Sequence, residues 1–184
     1  MTKGLHMNHY IENRPQTLME VFKILPEGTL AELIDNQLYM SPSPIHSHQR
    51  ILKKIAKLLD VLLEDTGKGE VIISPFDIFL DETRNAVQPD IIVILNENKG
   101  HFTDSGHFSG VPDLLIEILS DGNKNHDKIL KKDLYEQFGV QEYWMIEPDT
   151  KLCLVYYLVN NKYQKISEGI GSLNSQLLNK EILF

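Results

Sequence analysis

Two apolar segments of this 184-residue chain each carry an acidic residue, and this feature most restricts how the chain can fold. Asp90 directly precedes the apolar run 91–95, and Glu117 lies inside the run 114–119. Such short, continuous apolar runs are typical of strands that are buried on both faces of a sheet. A lone ionised carboxylate in these surroundings is costly unless it is paired, hydrogen-bonded or bound to a metal. A site for a hard metal ion is therefore the first hypothesis.

The composition indicates one soluble globular domain. A hydrophobic content of 42% supports a single sizeable core, so we interpret residues 1–184 as one domain with its core over about residues 18–167. The single cysteine, Cys153, excludes an internal disulfide and a cysteine zinc cluster, which fits a reducing cytoplasm. The N-terminus has no signal-peptide pattern, and no window approaches the roughly 18 apolar residues of a membrane span. We expect a cytoplasmic protein without membrane association.

The formal net charge of −8 argues against a basic surface for non-specific nucleic-acid binding. Local binding stays open, because lysines are concentrated in the segments 53–57 and 124–132, and an acidic active site would itself lower the net charge. Solvated helix faces are the simpler interpretation of both lysine clusters.

The N-terminal half of the chain predicts a helix, a β-hairpin and a second, longer helix. A capping-box spacing begins the first helix after Thr17, and Pro26 interrupts its pattern. Two short strands flank Asp35 and Asn36, residues that tolerate the positive φ angles of a tight hairpin. Apolar residues then recur at helical spacing over residues 51–63, which predicts a long helix that covers one face of a sheet.

The rest of the chain predicts a mixed sheet. Its strands are expected over residues 71–74, 76–80, 91–95, 114–119, 142–147, 152–159 and 163–166. The polar segment 96–110 is expected to be a surface loop with room for a short helical turn. A helix that ends at Gly139 suits a crossover between strands, and the tail beyond residue 166 carries little pattern. The fold class is therefore α/β, a mixed central β-sheet flanked by helices, with an N-terminal helix and β-hairpin.

The spacing of the two acids allows them to meet. Asp90 and Glu117 are 27 residues apart, which leaves room for one loop between neighbouring strands, so that both carboxylates can converge on one cation. Mg²⁺ takes oxygen ligands and usually keeps several waters beside one or two carboxylates. Two carboxylates suffice for a magnesium site, with Mn²⁺ as the expected substitute.

Three polar residues share one face of the helix that follows. Asp127, Lys131 and Tyr135 are each four residues apart, so they can line the same cleft. A lysine beside an activated water stabilises the charge that builds on phosphate during hydrolysis. An ordinary surface pair between Asp127 and Lys131, worth a few tenths of a kcal/mol, explains the same spacing. From spacing alone, the surface pair is the favoured interpretation.

Several short segments carry a resemblance to a known family. They are ELIDNQL (32–38), MSPSP (40–44) with His48, VQPD (87–90), PDL (112–114), EILS (117–120), Asp127 with Lys131 and Tyr135, and GVQEYW (139–144). In their order and spacing, over residues 18–166, they resemble the Uma-two family of "putative restriction endonucleases", which belongs to the PD-(D/E)xK nuclease superfamily. The resemblance implies a restriction endonuclease-like core and metal-dependent hydrolysis of phosphodiester bonds in DNA.

The resemblance also implies roles for residues at matching positions. Asp90 corresponds to the metal-binding aspartate of the PD element, and Glu117 corresponds to the acid of the (D/E)xK element. Leu119 stands where the superfamily pattern has lysine, and the family takes this lysine from the next helix, which implies Lys131. Glu32 matches an early acidic position that assists the metal.

Four further polar positions match residues that face the cleft or the substrate. They are His48, Gln88, Asp127 and Tyr135. One departure follows Ser120, where the family continues with proline, serine and threonine and this chain reads Asp121-Gly122-Asn123. The departure affects substrate contacts more than metal binding.

The leading hypothesis is a Mg²⁺-dependent DNA endonuclease in which Asp90 and Glu117 hold the ion and Lys131 stabilises the developing charge. The altered loop and the acidic net charge favour an alternative, a nuclease fold retained as a DNA-associated binding or assembly module without turnover. A weaker alternative is a metal-dependent hydrolase that acts on a non-nucleic phosphoester. Cleavage of both strands of a duplex is simplest with two sites, so a homodimer is expected.

Overall fold

The computed structural model of the protein describes residues 14–120 and 126–184, with side chains from residue 129 onward in the second range. The segment Asp121-Gly122-Asn123, which departs from the family pattern, lies outside the described residues. The described helices are α1 (Leu18–Lys23), α2 (His46–Leu63) and α3 (Lys132–Phe138), and a π-helical turn (His126–Lys131) leads directly into α3. None of the described helices is long and apolar enough to cross a membrane.

The described strands fall into two six-stranded sheets and one hairpin. They are β1 (Ala31–Ile34), β2 (Gln37–Met40), β3 (Gly69–Ile73), β4 (Ile78–Phe79), β5 (Ala86–Val87), β6 (Ile91–Leu95), β7 (His101–Phe102), β8 (Phe108–Ser109), β9 (Leu114–Ile118), β10 (Glu142–Ile146), β11 (Leu152–Val159), β12 (Lys162–Ile170), β13 (Ser172–Ser175) and β14 (Lys180–Leu183).

The central sheet has the strand order β12-β11-β10-β9-β6-β3. Among its described strands, β9 and β10 run parallel and all other neighbours run antiparallel, so the sheet is mixed as predicted. Parallel neighbours need a crossover of about a dozen or more residues, and α3 with its π-helical turn lies on the crossover between β9 and β10. Gly139 follows α3 with a φ of 87°, which confirms the predicted C-terminal cap.

Helices cover both faces of the central sheet because its inner strands are apolar on both faces. Ile91 and Ile116 pack with the apolar stripe of α2 in a cluster that we call the α2-side core. Ile92 and Leu115 point to the opposite face and pack with Leu134 of α3 in a cluster that we call the α3-side core. Burial of one such side chain contributes about 1.5–3 kcal/mol, so the two cores together hold the sheet between the helices.

A second sheet, in the order β2-β1-β5-β4-β8-β7, lies between α1 and the central sheet. Its first hairpin turns at Asp35 and Asn36, with φ angles of 49° and 60°, as predicted. Leu33 packs in a cluster with Phe22 of α1, whereas Ile78 belongs to the α3-side core. This sheet therefore brings the N-terminal part of the chain against the buried acids.

The segment 96–110 is largely turn and loop as expected, but residues 101–102 and 108–109 pair as the hairpin of β7 and β8, and the expected helical turn is wrong. Phe108 explains the difference. Its side chain is 1% exposed and joins the α3-side core, while β8 pairs in parallel with β4. Phe102 and Phe108 stand six residues apart in an otherwise polar segment, which gives no periodic pattern, and pattern analysis therefore misses the buried position.

The C-terminal tail forms the antiparallel hairpin of β13 and β14, for which the sequence offered little pattern. Leu173, Ile182 and Phe184 are buried in the α2-side core, so the core includes residues beyond 167. Leu173 stands singly between polar residues, and Ile182 and Phe184 lie in a run of only three apolar residues, which is why they give a weak signal in the sequence.

Glu142 ties this hairpin to the central sheet. Its carboxylate is 0% exposed and accepts hydrogen bonds from Trp144 Nε1, Ser175 Oγ and the backbone N–H groups of Gln176 and Leu177, at 2.6–2.9 Å. Hydrogen bonds to an ionised acceptor are stronger than neutral ones, and four of them offset the cost of burying the charge.

Glutamine at position 142 is expected to destabilise the protein. In Glu142→Gln an amide N–H₂ group replaces one carboxylate oxygen. This group cannot accept the hydrogen bonds that the oxygen accepted, so the free energy of unfolding should fall by about 2 kcal/mol. Urea unfolding at pH 7 measures the change. Glu181→Gln alters an exposed acid of the same hairpin and should shift the value by less than about 0.5 kcal/mol. Equal stability of the two variants would show that apolar packing alone holds the hairpin.

Candidate active site

Asp90 and Glu117 lie at the same end of neighbouring strands. Ile91 of β6 is opposite Ile116 of β9, and the antiparallel register continued by one residue places Asp90 opposite Glu117. Asp90 Oδ2 accepts the backbone N–H of Ile118 at 2.7 Å. The two strands are therefore adjacent, as the spacing of the acids predicted.

Glu117 lies at the centre of a buried polar cluster. Lys131 Nζ is 2.9 Å from Glu117 Oε1 and 2.9 Å from Glu32 Oε2, and the Tyr135 hydroxyl donates to Glu117 Oε1 at 2.8 Å. All four side chains are buried. An ammonium held between two carboxylates offsets the desolvation cost that each charge would carry alone.

The pleat of β1 directs Glu32 into this cluster. Side chains alternate along a strand, so Leu33 faces α1 while Glu32 and Ile34 face the central sheet. Glu32 Oε1 accepts the backbone N–H of Gln88 at 2.8 Å, and the Gln88 side chain donates to Asp77 Oδ1 at 2.7 Å. Gln88 thus holds Glu32 with its backbone and turns its amide toward Asp77.

The lysine reaches Glu117 from the helix side. Lys131 is the last residue of the π-helical turn, and Tyr135 follows in α3, so the two side chains share a face as their spacing predicted. Lys131 is buried, so its interpretation as half of an ordinary surface ion pair is wrong. Leu119 is buried in the α3-side core, and the side chain of Asp127 lies outside the described residues.

His48 is the second partner of Asp90. It lies in the first turn of α2, and its side chain is buried. His48 Nε2 is 3.1 Å from Asp90 Oδ2, the same oxygen that accepts the Ile118 N–H. No described residue donates to Asp90 Oδ1, and His48 Nδ1 is buried without a hydrogen-bond partner in the described part of the chain.

The predicted site residues that the structure describes form two adjoining groups. Glu32, Gln88, Glu117, Lys131 and Tyr135 form one group, and His48 and Asp90 form the other. His48 and Tyr135 contact the acids from buried positions.

The electrostatics of the site favour a cation. Asp90, Glu32 and Glu117 oppose the single ammonium of Lys131, which leaves these four described side chains with a formal charge of −2. Burial raises the pKa of Tyr135 well above its usual range, and the nearby Glu117 and Glu32 carboxylates raise it further. Tyr135 therefore keeps its proton and acts as a donor.

The donor atoms suit a hard divalent ion. Asp90 and Glu117 offer carboxylate oxygens, and Asp90 Oδ1 has no competing donor among the described residues. In the described part of the chain no three or more His, Cys, Asp or Glu side chains are grouped to hold a metal ion. Carboxylate oxygens are ligands that Mg²⁺ takes, usually one or two carboxylates beside several waters.

A groove of about 760 Å³ adjoins the site between α1 and the β7–β8 hairpin. Asp77, Gln88 and His107 line it, and His107 Nδ1 is 3.5 Å from Asp77 Oδ2. Gln88 connects this groove to Glu32. No pattern in the sequence points to Asp77 or the groove, because the segments that line the groove are far apart in the chain.

Comparisons with known proteins show the family to which the chain belongs. A family model, Uma2, described as "Putative restriction endonuclease", matches residues 19–179, and the chain belongs to this family. A solved structure of a "putative nuclease belonging to DUF820" from Anabaena variabilis ATCC 29413 is similar, with a TM-score of 0.71 and 19% sequence identity, over 90% of this chain and 92% of that chain. No curated protein matches the chain. The family resemblance and the fold expected from the sequence are confirmed.

The Tyr135 hydroxyl is expected to stabilise the fold in a pH-dependent way. Tyr135→Phe removes a donor to a buried carboxylate and should lower the free energy of unfolding by about 2 kcal/mol at pH 7. Below pH 10 this hydroxyl is protonated in both the folded and the unfolded chain. Above pH 10 it ionises in the unfolded chain only, because its folded-state pKa is raised, so its stabilising contribution falls as pH rises.

Urea unfolding of both proteins between pH 7 and pH 11 measures this contribution. The difference between the parent and Tyr135→Phe should stay constant up to about pH 9 and shrink above pH 10. A difference that grows above pH 10 would contradict the assignment of Tyr135 as a buried donor.

Proposed function

We propose that this protein is a divalent-cation-dependent DNA endonuclease that hydrolyses phosphodiester bonds. The observation that supports the proposal most directly is the contact of Lys131 with Glu117, beside Asp90 on the neighbouring strand. Family membership and fold support the nuclease class. The homodimer and the cytoplasmic location remain predictions from the sequence.

Asp90 and Glu117 would hold Mg²⁺, with Mn²⁺ as a substitute. When bound, the ion would supply Lewis-acid activation of a water molecule and of the scissile phosphate. The formal charge of −2 on the described side chains supports this assignment, because a divalent cation neutralises it and a phosphate alone is repelled by it.

Lys131 would place positive charge where negative charge develops on the phosphate. Glu32 and Glu117 each contact its Nζ at 2.9 Å, so the ammonium is oriented before substrate arrives. Tyr135 donates to Glu117 and fixes the orientation of that carboxylate. Gln88 in turn holds Glu32 through its backbone N–H.

Basic residues on α2 support DNA as the substrate despite the acidic net charge. Lys53, Lys54 and Lys57 are exposed and follow His48 by one to three turns of the helix. Exposed lysines near the site can contact backbone phosphates on either side of the scissile bond, which positions DNA without reading its sequence.

Plasmid cleavage tests the proposal. The parent protein with Mg²⁺ or Mn²⁺ is expected to convert supercoiled DNA to nicked or linear DNA, and Asp90→Ala and Glu117→Ala are expected to abolish cleavage. Asp65→Ala is the matched control, because Asp65 is exposed just beyond the end of α2 that is distant from His48. Parental activity in Asp90→Ala would overturn the proposal.

Lys131→Met is expected to lower the cleavage rate by about 10²–10³-fold, because it removes an oriented charge from the site. The variant also leaves Glu32 and Glu117 without their ammonium and should lose about 3–5 kcal/mol of stability. The rate is therefore measured at a temperature at which circular dichroism shows the variant folded. Lys132→Met changes the neighbouring lysine, which pairs with Asp133, and should keep the parental rate.

A second candidate function is a DNA-binding module without turnover. It is favoured by the contacts of Lys131 and Tyr135 on the same oxygen of Glu117, which leave that atom less available to a cation. Calorimetry with Mn²⁺ separates the two functions. A catalytic site should bind Mn²⁺ and lose that binding in Glu117→Ala, whereas DNA binding without Mn²⁺ binding or cleavage would support the module.

A further inference from the structure

We propose that His48 is a positioning residue that fixes Asp90 so that one carboxylate oxygen, Oδ1, stays free for a divalent cation. The role rests on the proposed function, because it concerns the same cation site. In this role His48 contacts Asp90 rather than the substrate. Oδ1 is the atom of Asp90 that would bind the ion.

The hydrogen bonds of Asp90 are divided unequally between its two oxygens. Oδ2 accepts both the Ile118 N–H at 2.7 Å and His48 Nε2 at 3.1 Å. No described residue donates to Oδ1, and the side chain is 15% exposed. Two donors on one oxygen restrict rotation of the carboxylate and leave the other oxygen with its lone pairs available.

The tautomer of His48 follows from its surroundings. An ionised Asp90 can only accept, so Nε2 carries the hydrogen of this bond. Nδ1 has no hydrogen-bond partner in the described part of the chain, and a hydrogen there would be a buried donor without an acceptor. Nε2–H with an unprotonated Nδ1 is therefore the arrangement that fits the structure.

The unpaired Nδ1 also indicates why a histidine stands at this position. His48 is 6% exposed and continues the apolar stripe of α2, which contains Ile51, Leu52 and Ile55. An apolar residue there would bury no unpaired nitrogen. Burial of Nδ1 without a partner is costly. Among the contacts of the described residues, the hydrogen bond from His48 to Asp90 offsets this cost.

The stripe of α2 also makes the position of His48 Nε2 rigid. Ile51 and Ile55 follow His48 at helical spacing and pack in the α2-side core against the same sheet that carries Asp90. A donor on a packed helix and an acceptor on a core strand keep their relative position. Groups that fix a metal ligand in this way typically change metal affinity by about 10- to 100-fold when removed.

Calorimetric titration with Mn²⁺, without DNA, tests the role independently of activity. His48→Leu removes the donor and should weaken Mn²⁺ binding by about 10- to 100-fold. His48→Gln carries an amide N–H₂ that can reach Asp90 and should bind Mn²⁺ nearly as well as the parent. His101→Leu replaces an exposed histidine of β7 and should bind like the parent.

Folding of each variant is checked by circular dichroism and thermal unfolding. A purely structural role would lower the melting temperature without changing the Kd of the folded protein, whereas a positioning role raises the Kd. If His48→Leu does not fold, His48→Asn replaces it, because its shorter amide withdraws the donor from Asp90 while remaining polar. His48→Asn should then bind more weakly than His48→Gln.

The outcomes separate this role from the proposed function. Parental affinity in His48→Leu, or in His48→Asn where that variant is used, overturns the role of His48 if Asp90→Ala has lost Mn²⁺ binding. Equal weakening in His48→Gln and His48→Leu also overturns it, because donation to Asp90 is then not the cause. Absence of Mn²⁺ binding by the parent overturns the proposed function and the role together.

Discussion

The contact of one buried ammonium with two buried carboxylates is the interaction on which the site depends. Lys131 comes from the crossover between β9 and β10, Glu32 from the second sheet and Glu117 from the central sheet. Each charge alone would be costly to bury, so the three elements are stable in this arrangement only when all three side chains meet. The two sheets and the crossover helix are thus joined by charge as well as by apolar packing.

Two carboxylates at the central sheet, the fully buried Glu142 and the partly buried Asp90, show how acidic residues serve different purposes. Glu142 accepts hydrogen bonds from four neutral donors, which occupy both of its oxygens and hold the C-terminal hairpin. The two donors to Asp90 among the described residues contact the same oxygen. Glu142 has donors on both oxygens and supports the fold, whereas Asp90 has described donors on one oxygen only, which leaves the other oxygen available to a ligand.

Local patterns in the sequence predicted much of the fold and part of the site. The hairpin at Asp35 and Asn36, the long helix α2 and the adjacent strands of Asp90 and Glu117 all follow from periodicity, turn residues or loop length. The helical spacing of Lys131 by itself favours a surface pair with Asp127, and family resemblance is needed to assign Lys131 to the candidate site.

Contacts between distant segments could not be predicted in this way. His48 and Asp90 are 42 residues apart and meet because α2 packs on the central sheet, and Gln88 donates its backbone N–H to Glu32, 56 residues earlier in the chain. Phe108, buried in the α3-side core, is one of two apolar residues in the polar segment 96–110, and no periodic pattern surrounds it. Such contacts depend on how elements pack, which residue spacing within one element does not specify.

The order of the charged residues along the chain has a consequence during synthesis. Glu32, Asp90 and Glu117 all leave the ribosome before Lys131. Until the crossover helix follows them, the three carboxylates repel one another without a compensating ammonium, which opposes their burial. A partly synthesised chain therefore resists closing around these acids, and the site is completed only after the helix that carries Lys131 has emerged and packed.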